Sequence, residues 1–129
     1  MSTDELAPRR VLLVEDEALV AMVAEENLRI MGFEPVSAFT AGEALDAMRD
    51  GTRFSAAIVD VGLPDMRGDT LAHQIRVHAP VMPIILASGY DSAELRLGFA
   101  GDTRIRVLGK PYSESQLRQA LAELDLAAI

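Results

Sequence analysis

Short apolar runs alternate with segments of helical spacing along the whole chain, and this alternation constrains the fold more than any other feature. The runs are rich in Val, Ile, Leu and Ala, as expected for buried strands. Their predicted ranges are 10–14, 33–39, 56–59, 83–88 and 105–111. Strands that alternate with helices favour a parallel sheet with right-handed crossovers and helices on both faces. The sequence therefore predicts an α/β fold built from (βα)5 units.

Helix start and stop signals lie between these runs. Thr40 is followed by Glu43, and Ser113 is followed by Gln116, which is the pattern of a capping box. Asp69 is a candidate N-cap for the middle helix. The predicted helical ranges, including terminal glycines, are 17–32, 40–51, 69–80, 91–101 and 113–129. The helix at 91–101 is short and weakly patterned, whereas the others are well marked.

Length and composition indicate a single soluble domain. The chain has 129 residues, which suits one core, and we expect residues 1–8 to be a flexible tail before a domain at 9–129. The absence of cysteine excludes disulfides and thiolate chemistry and favours a cytoplasmic location. The net charge of -8 disfavours nucleic acid as a partner. No apolar run approaches the roughly 20 residues of a membrane span.

Polar side chains gather where the predicted strands end. They are Glu15, Asp16 and Glu17 after the first strand, Asp60 after the third, Ser88 after the fourth and Lys110 in the fifth. Taken singly, each has a structural explanation, since acids favour a helix N-terminus and Asp favours turns. In open parallel sheets, however, ligands bind outside the carboxyl ends of the strands. We therefore expect these residues to form one site.

Several carboxylates at one sheet edge need a counter-charge. Two carboxylates about 4 Å apart repel by roughly 4 kcal/mol at an effective dielectric of about 20. Mg²⁺ relieves such repulsion, because it takes oxygen ligands and binds one or two carboxylates together with phosphate oxygens. Lys110 supplies a positive charge from the protein, and Ser88 supplies a hydroxyl donor. This combination suits phosphoryl transfer to a carboxylate.

Four stretches of the sequence resemble the receiver domain of two-component response regulators. They are "LLVEDE", "AAIVDVGLPDMRG", "ILASGY" and "VLGKPYS", in the family's order and at its spacing. The resemblance extends from about Arg9 to the C-terminus. It implies the flavodoxin-like, CheY-like doubly wound fold, in which a five-stranded parallel sheet forms the middle of three α/β/α layers.

The resemblance also implies a role for each matching residue. Asp60 would accept the phosphoryl group, with Mg²⁺ or Mn²⁺ as cofactor. Asp16 would ligate the metal directly, Glu15 through water, and Gly62 through its backbone carbonyl. Ser88 would be the switch hydroxyl and Lys110 the lysine that contacts the phosphoryl group. The Lys110–Pro111 peptide bond would be cis.

One position departs from the family pattern. Most receivers carry Phe or Tyr three residues before the lysine, and here that residue is Val107. Tyr90 instead follows Ser88 by two residues, which resembles the receiver subgroup named for its FATGUY motif. We expect phosphorylation to be read out through Tyr90 and a mobile segment over 91–103.

Two other classes of protein use similar parts. A haloacid-dehalogenase-type phosphatase also has an aspartyl nucleophile, but it needs a second Asp where Gly62 stands. Flavodoxin shares the topology, but the run from Glu15 to Glu17 would repel its phosphate. A degenerate receiver that takes no phosphate is disfavoured by the presence of Asp16, Asp60 and Lys110.

The expected function is therefore a signalling domain rather than an enzyme with a separate substrate. The resemblance implies a sensor histidine kinase or a phosphotransfer protein as the phosphodonor. No output domain is evident, so we expect a stand-alone receiver that docks on a downstream protein or serves as a phosphate sink. Direct DNA binding and membrane association are not expected.

Overall fold

The computed structural model describes residues 9–89 and 93–126. Within these residues the chain forms five parallel strands and five helices, in strict alternation. The strands are β1 (Arg10–Val14), β2 (Glu34–Ala38), β3 (Ala56–Asp60), β4 (Ile84–Ser88) and β5 (Ile105–Gly109). The helices are α1 (Ala18–Ile30), α2 (Ala41–Arg49), α3 (Gly68–His78), α4 (Ala93–Gly98) and α5 (Glu114–Glu123). The strand order is β2-β1-β3-β4-β5, which confirms the predicted doubly wound fold.

The sheet separates two apolar cores. Leu12 and Val14 of β1 face the core shared with α2 and α3, whereas Val11 and Leu13 face the core shared with α1 and α5. Because successive side chains of a strand point to opposite faces, each central strand must be apolar throughout. β3 and β4 are fully buried along their length, in agreement with this requirement. The sheet and the helices on its two faces form the three predicted layers, with one core on each side of the sheet.

Some predicted boundaries differ from the structure. α3 begins at Gly68 rather than after a cap at Asp69, and the Asp69 carboxylate accepts a hydrogen bond from Nε of Arg67 at 3.0 Å. α5 ends at Glu123, well before the predicted limit. Asp125 adopts a left-handed φ of 65°, which stops a right-handed helix. The predicted tail at 1–8 lies outside the described residues.

Gly68 allows α3 to pack against the end of β3. A Cβ atom at this position would lie 2.1 Å from the carbonyl oxygen of Asp60, closer than any real contact. The Gly68 N–H donates to the Val61 carbonyl at 2.8 Å. The sequence therefore requires glycine where the helix meets the strand that ends in Asp60.

Arg76 ties together the loops at the amino end of the sheet. Its guanidinium makes a two-pronged ion pair with Asp102, at 2.9 and 3.3 Å. It also donates to the carbonyls of Ala79 at 3.0 Å, Met82 at 2.6 Å and Arg104 at 3.5 Å. We call this set the Arg76 cluster. It joins the end of α3 to the loops before β4 and β5.

Candidate functional site

The carboxyl ends of four neighbouring strands meet at one edge of the sheet. Glu15 follows β1, Asp60 ends β3, Ser88 ends β4 and Lys110 follows β5. The register of the parallel strands brings these residues to the same height along the sheet. Asp60 lies opposite Ala87, and the N–H of Lys110 donates to the Ser88 carbonyl at 2.8 Å. The fold thus brings together residues that are up to 95 positions apart in sequence.

Lys110 lies between the acidic side chains of this edge. Its Nζ donates to Oε1 of Glu15 at 2.8 Å and lies 3.3 Å from Oδ2 of Asp60. Oε1 of Glu17 is 4.0 Å away, and that side chain is mostly exposed. Glu15 and Asp60 are buried. One ammonium therefore has to compensate two buried carboxylates.

Asp16 completes a group of three carboxylates that we call the acidic cluster. One oxygen from each of Glu15, Asp16 and Asp60 lies within 4.8 Å of the other two. Asp16 is exposed, so the cluster opens to solvent on one side. Closely spaced carboxylate oxygens with a solvent-facing side fit a hard divalent cation that keeps part of its water shell. The donor set is thus compatible with the predicted metal site.

The electrostatics of the edge shift the pKa values of Glu15 and Lys110. Burial raises the pKa of Glu15 above 4.5, and the hydrogen bonds from Lys110 and the Glu17 N–H only partly offset this. Asp60 adds to the upward shift by its negative charge. Burial acts to lower the pKa of Lys110, but Glu15 and Asp60 outweigh it, so the pKa is raised above 10.5. The ammonium is therefore held charged beside the cluster.

The remaining predicted residues lie at the same edge. The N–H of Gly62 donates to Oδ1 of Asp60 at 3.2 Å, and the role of its carbonyl stays a prediction. Ser88 is 3% exposed and directly follows Ala87, the residue of β4 that pairs with Asp60. The Lys110–Pro111 peptide bond is cis, as the resemblance implies.

The predicted readout residues are less well defined. Tyr90 lies outside the described residues, as do 91 and 92 of the predicted switch segment. α4 has six residues, which agrees with the short helix predicted there. Val107 is half-buried on β5 and packs with Phe99 against the core beneath α4.

Sequence reasoning understated the role of Asp65. Aspartate in such a loop is typical of a turn or a cap, yet the Asp65 carboxylate joins two separate segments of the chain. Oδ1 accepts from the N–H of Ala41 at 2.9 Å, and Oδ2 accepts from the N–H of Gly42 at 3.0 Å. No local pattern reveals a cap supplied from 24 residues away. The only sequence feature that pointed to this role was the aspartate within the loop sequence "GLPDMRG".

Comparison with known proteins assigns the family. The sequence model of the response regulator receiver domain matches residues 11–122. The chain therefore belongs to the response regulator receiver domain family, the receiver module of two-component systems. The subgroup suggested by Tyr90 stays a prediction.

Individual relatives agree with this assignment. The sensor kinase CckA of Brucella abortus is 32% identical over 95% of this chain, which spans 13% of that protein. The transcriptional regulatory protein PdtaR of Mycobacterium tuberculosis is 30% identical over 92% of this chain, which spans 57% of it. A CheY-like receiver structure from Methanospirillum hungatei superposes with a TM-score of 0.82 at 30% identity. It covers 92% of this chain and 95% of that one.

The chain thus spans only part of the curated relatives it matches. In these two relatives the matched share is 13% and 57% of the full length. Among the helices within residues 9–89 and 93–126, none has both the length and the apolar character needed to cross a bilayer.

Proposed function

We propose that this chain accepts a phosphoryl group on Asp60 from a phosphohistidine of a sensor histidine kinase or phosphotransfer protein. The observation that carries the proposal is the position of Asp60. Its carboxylate ends a buried strand, 3.3 Å from the Lys110 ammonium and within the acidic cluster. A carboxylate beside a fixed cation is both a nucleophile and the neighbour of a developing phosphoryl charge.

The proposed step transfers the phosphoryl group from a histidine nitrogen to a carboxylate oxygen of Asp60. An Asp60 carboxylate oxygen forms a bond to phosphorus while the bond from phosphorus to the histidine nitrogen breaks. The leaving electron pair stays on the imidazole nitrogen, which then takes a proton from solvent. Lys110 can follow the charge from the carboxylate to the phosphoryl oxygens without leaving Glu15, its 2.8 Å partner.

Glu15, Asp16 and Asp60 would hold the divalent cation, with the Gly62 carbonyl as a further ligand. Mg²⁺, or Mn²⁺ in its place, supplies positive charge that offsets the repulsion between carboxylates and phosphate oxygens. The chain's own residues orient the acceptor. The Gly62 N–H donates a hydrogen bond to Oδ1 of Asp60, and the Lys110 ammonium lies 3.3 Å from Oδ2.

Signalling would then proceed by phosphorylation-dependent docking on a downstream protein. Ser88, buried at the end of β4, is the proposed hydroxyl that follows the new phosphoryl oxygens. Because β4 leads directly into the segment before α4, a change at Ser88 reaches that segment first. Tyr90 is the proposed aromatic residue of the switch.

The proposed function also implies a cellular location for the domain. A histidine kinase or a phosphotransfer protein as phosphodonor supports a cytoplasmic location, and we propose no direct contact with DNA or membrane lipid. We propose no separate substrate turnover beyond gain and loss of the phosphoryl group. The stand-alone arrangement stays a prediction, which an immunoblot of source-cell lysate would test by the size of the native protein.

The test is phosphorylation of purified protein by acetyl phosphate or by a phosphorylated histidine kinase. Wild-type protein should gain the mass of one phosphoryl group with Mg²⁺ and not with EDTA. Asp60→Asn should gain none. Asp46→Asn, which changes an exposed aspartate of α2, is the matched control and should behave as wild type. An adduct of equal yield in Asp60→Asn would contradict the proposal.

A further inference from the structure

Asp65 links the loop after β3 to the first turn of α2. We call residues 61–67 the acceptor loop. The two Asp65 carboxylate oxygens accept hydrogen bonds from Ala41 and Gly42, at 2.9 and 3.0 Å. The next N–H of the same turn, that of Glu43, donates to the Thr40 hydroxyl at 3.1 Å. The helix therefore takes one of its first caps from its own sequence and two from the acceptor loop.

The first turn of α2 is a firm anchor for that loop. The first N–H groups of a helix have no partner within the helix, and a carboxylate there is further favoured by the helix dipole. Ala41 and Ala44 are fully buried, so this turn is fixed to the core. The hydrogen bonds from Ala41 and Gly42 lower the pKa of Asp65, as expected for a carboxylate bound in its ionised form.

The acceptor loop is also fixed at both of its ends. At its start, the N–H of Gly62 donates to Oδ1 of Asp60. At its close, Gly68 lies against the Asp60 carbonyl and donates to the Val61 carbonyl. Between these points Gly62, Pro64 and Arg67 are exposed and gain little from packing. Leu63 and Met66 pack against the core, and Asp65 adds the hydrogen bonds that join the loop to α2.

We propose that Asp65 is a positioning residue for the Asp60 site. Its paired hydrogen bonds to α2 set the course of the acceptor loop, and the loop sets the direction of Gly62 beside the acceptor carboxylate. Asp65 touches neither the phosphoryl group nor the cation. This inference rests on the proposed function for its consequence, since a displaced Gly62 would weaken divalent-ion binding and slow phosphorylation.

The test compares Asp65→Ala with Thr40→Ala, its matched control. Each variant removes capping from the same helix end, but only Asp65→Ala frees the acceptor loop. We expect Asp65→Ala to raise the Mg²⁺ concentration for half-maximal phosphorylation by about tenfold, as loss of supporting contacts commonly does. Thr40→Ala should leave that concentration at the wild-type value. Asp65→Asn keeps one acceptor oxygen and should fall between Asp65→Ala and wild type.

A second readout does not depend on phosphorylation. In metal-free protein, amide hydrogen exchange of Gly62 and Met66 should be faster in Asp65→Ala than in Thr40→Ala. Equal shifts in the two variants, in exchange and in Mg²⁺ requirement, would mean that Asp65 merely stabilises α2 and would overturn the inference. If wild type takes no phosphoryl group, the proposed function fails. Faster loop exchange confined to the Asp65 variants, with weaker Mg²⁺-induced amide shifts, would still support the positioning role.

Discussion

At the carboxyl end of the sheet, one lysine lies beside two of the three carboxylates of the acidic cluster. At the amino end, one guanidinium of the Arg76 cluster faces one carboxylate and three backbone carbonyls. Both regions place charged groups out of full contact with water, which is unfavourable unless those groups are paired. The amino end pairs its charges and bonds its donors, whereas the carboxyl end keeps an excess of negative charge.

The pKa values reflect the same difference. At the carboxyl end, burial is the largest influence on Glu15 and its pKa is raised. At the amino end, burial also opposes ionisation of Asp102, but hydrogen bonds from Arg76 and Arg104 outweigh it and the pKa is lowered below 3.8. At neutral pH, the lowered pKa of Asp102 corresponds to a gain in stability and the raised pKa of Glu15 to a loss. The proposed function thus rests on the acidic cluster, whereas the Arg76 cluster contributes to stability.

The largest expected effect is loss of the Arg76 cluster. Arg76→Met keeps the apolar stem but leaves Asp102 and the carbonyl groups unpaired. We expect the free energy of unfolding to fall by about 3 kcal/mol, as for other broken ion pairs that are largely buried. Urea unfolding measures it. The double variant Arg76→Met/Asp102→Leu should recover part of the lost stability. An unchanged urea midpoint in Arg76→Met would contradict the stabilising role of the Arg76 cluster.

Divalent cations should stabilise the carboxyl end specifically. A ligand that binds only the folded state at one hundred times its Kd raises the free energy of unfolding by about 2.7 kcal/mol. We therefore expect Mg²⁺ to raise the thermal midpoint of wild type and to raise that of Asp16→Asn by much less. The control is Asp69→Asn, a half-buried carboxylate outside the acidic cluster. A response in Asp69→Asn as weak as that of Asp16→Asn would contradict a site at the cluster.

Acid should weaken the amino end. The pKa of Asp102 is lower in the folded protein than in the unfolded chain, so its contribution is complete above about pH 4. That contribution is lost as the pH falls through the folded pKa. Between about pH 6 and about pH 3, wild type should therefore lose more stability than Asp102→Asn in urea unfolding. Equal losses in the two proteins would exclude this source of acid sensitivity.

The smallest effect is expected at exposed ion pairs. Arg49 and Asp46 lie 3.4 Å apart on α2, with side chains 64% and 78% exposed. Such a pair contributes little in water, so Asp46→Asn should change the free energy of unfolding by less than about 0.5 kcal/mol. A loss comparable to that of Arg76→Met would mean that burial does not distinguish the ion pairs of this chain.

The sequence was sufficient to place the site but not its supports. Asp60 and Lys110 could be located because strand ends follow from the alternating pattern, and parallel strands end at a common edge. Asp102 could not be identified as the partner of Arg76, because it lies 26 residues away and the pair forms only after two loops pack together. Asp65 was missed for the same reason. Helix ends were the other weak point, as Asp125 shows, because a left-handed residue has no marker here such as glycine.

The most direct test of the central claim compares Asp60→Asn with Asp102→Asn in urea unfolding at neutral pH without divalent cations. Asp60→Asn removes repulsion from the acidic cluster, so it should be more stable than wild type by about 1 to 2 kcal/mol, within the range of ordinary stabilising substitutions. Asp102→Asn should be less stable than wild type. If Asp60→Asn is the less stable of the two, the acidic cluster stabilises the fold and the account is wrong.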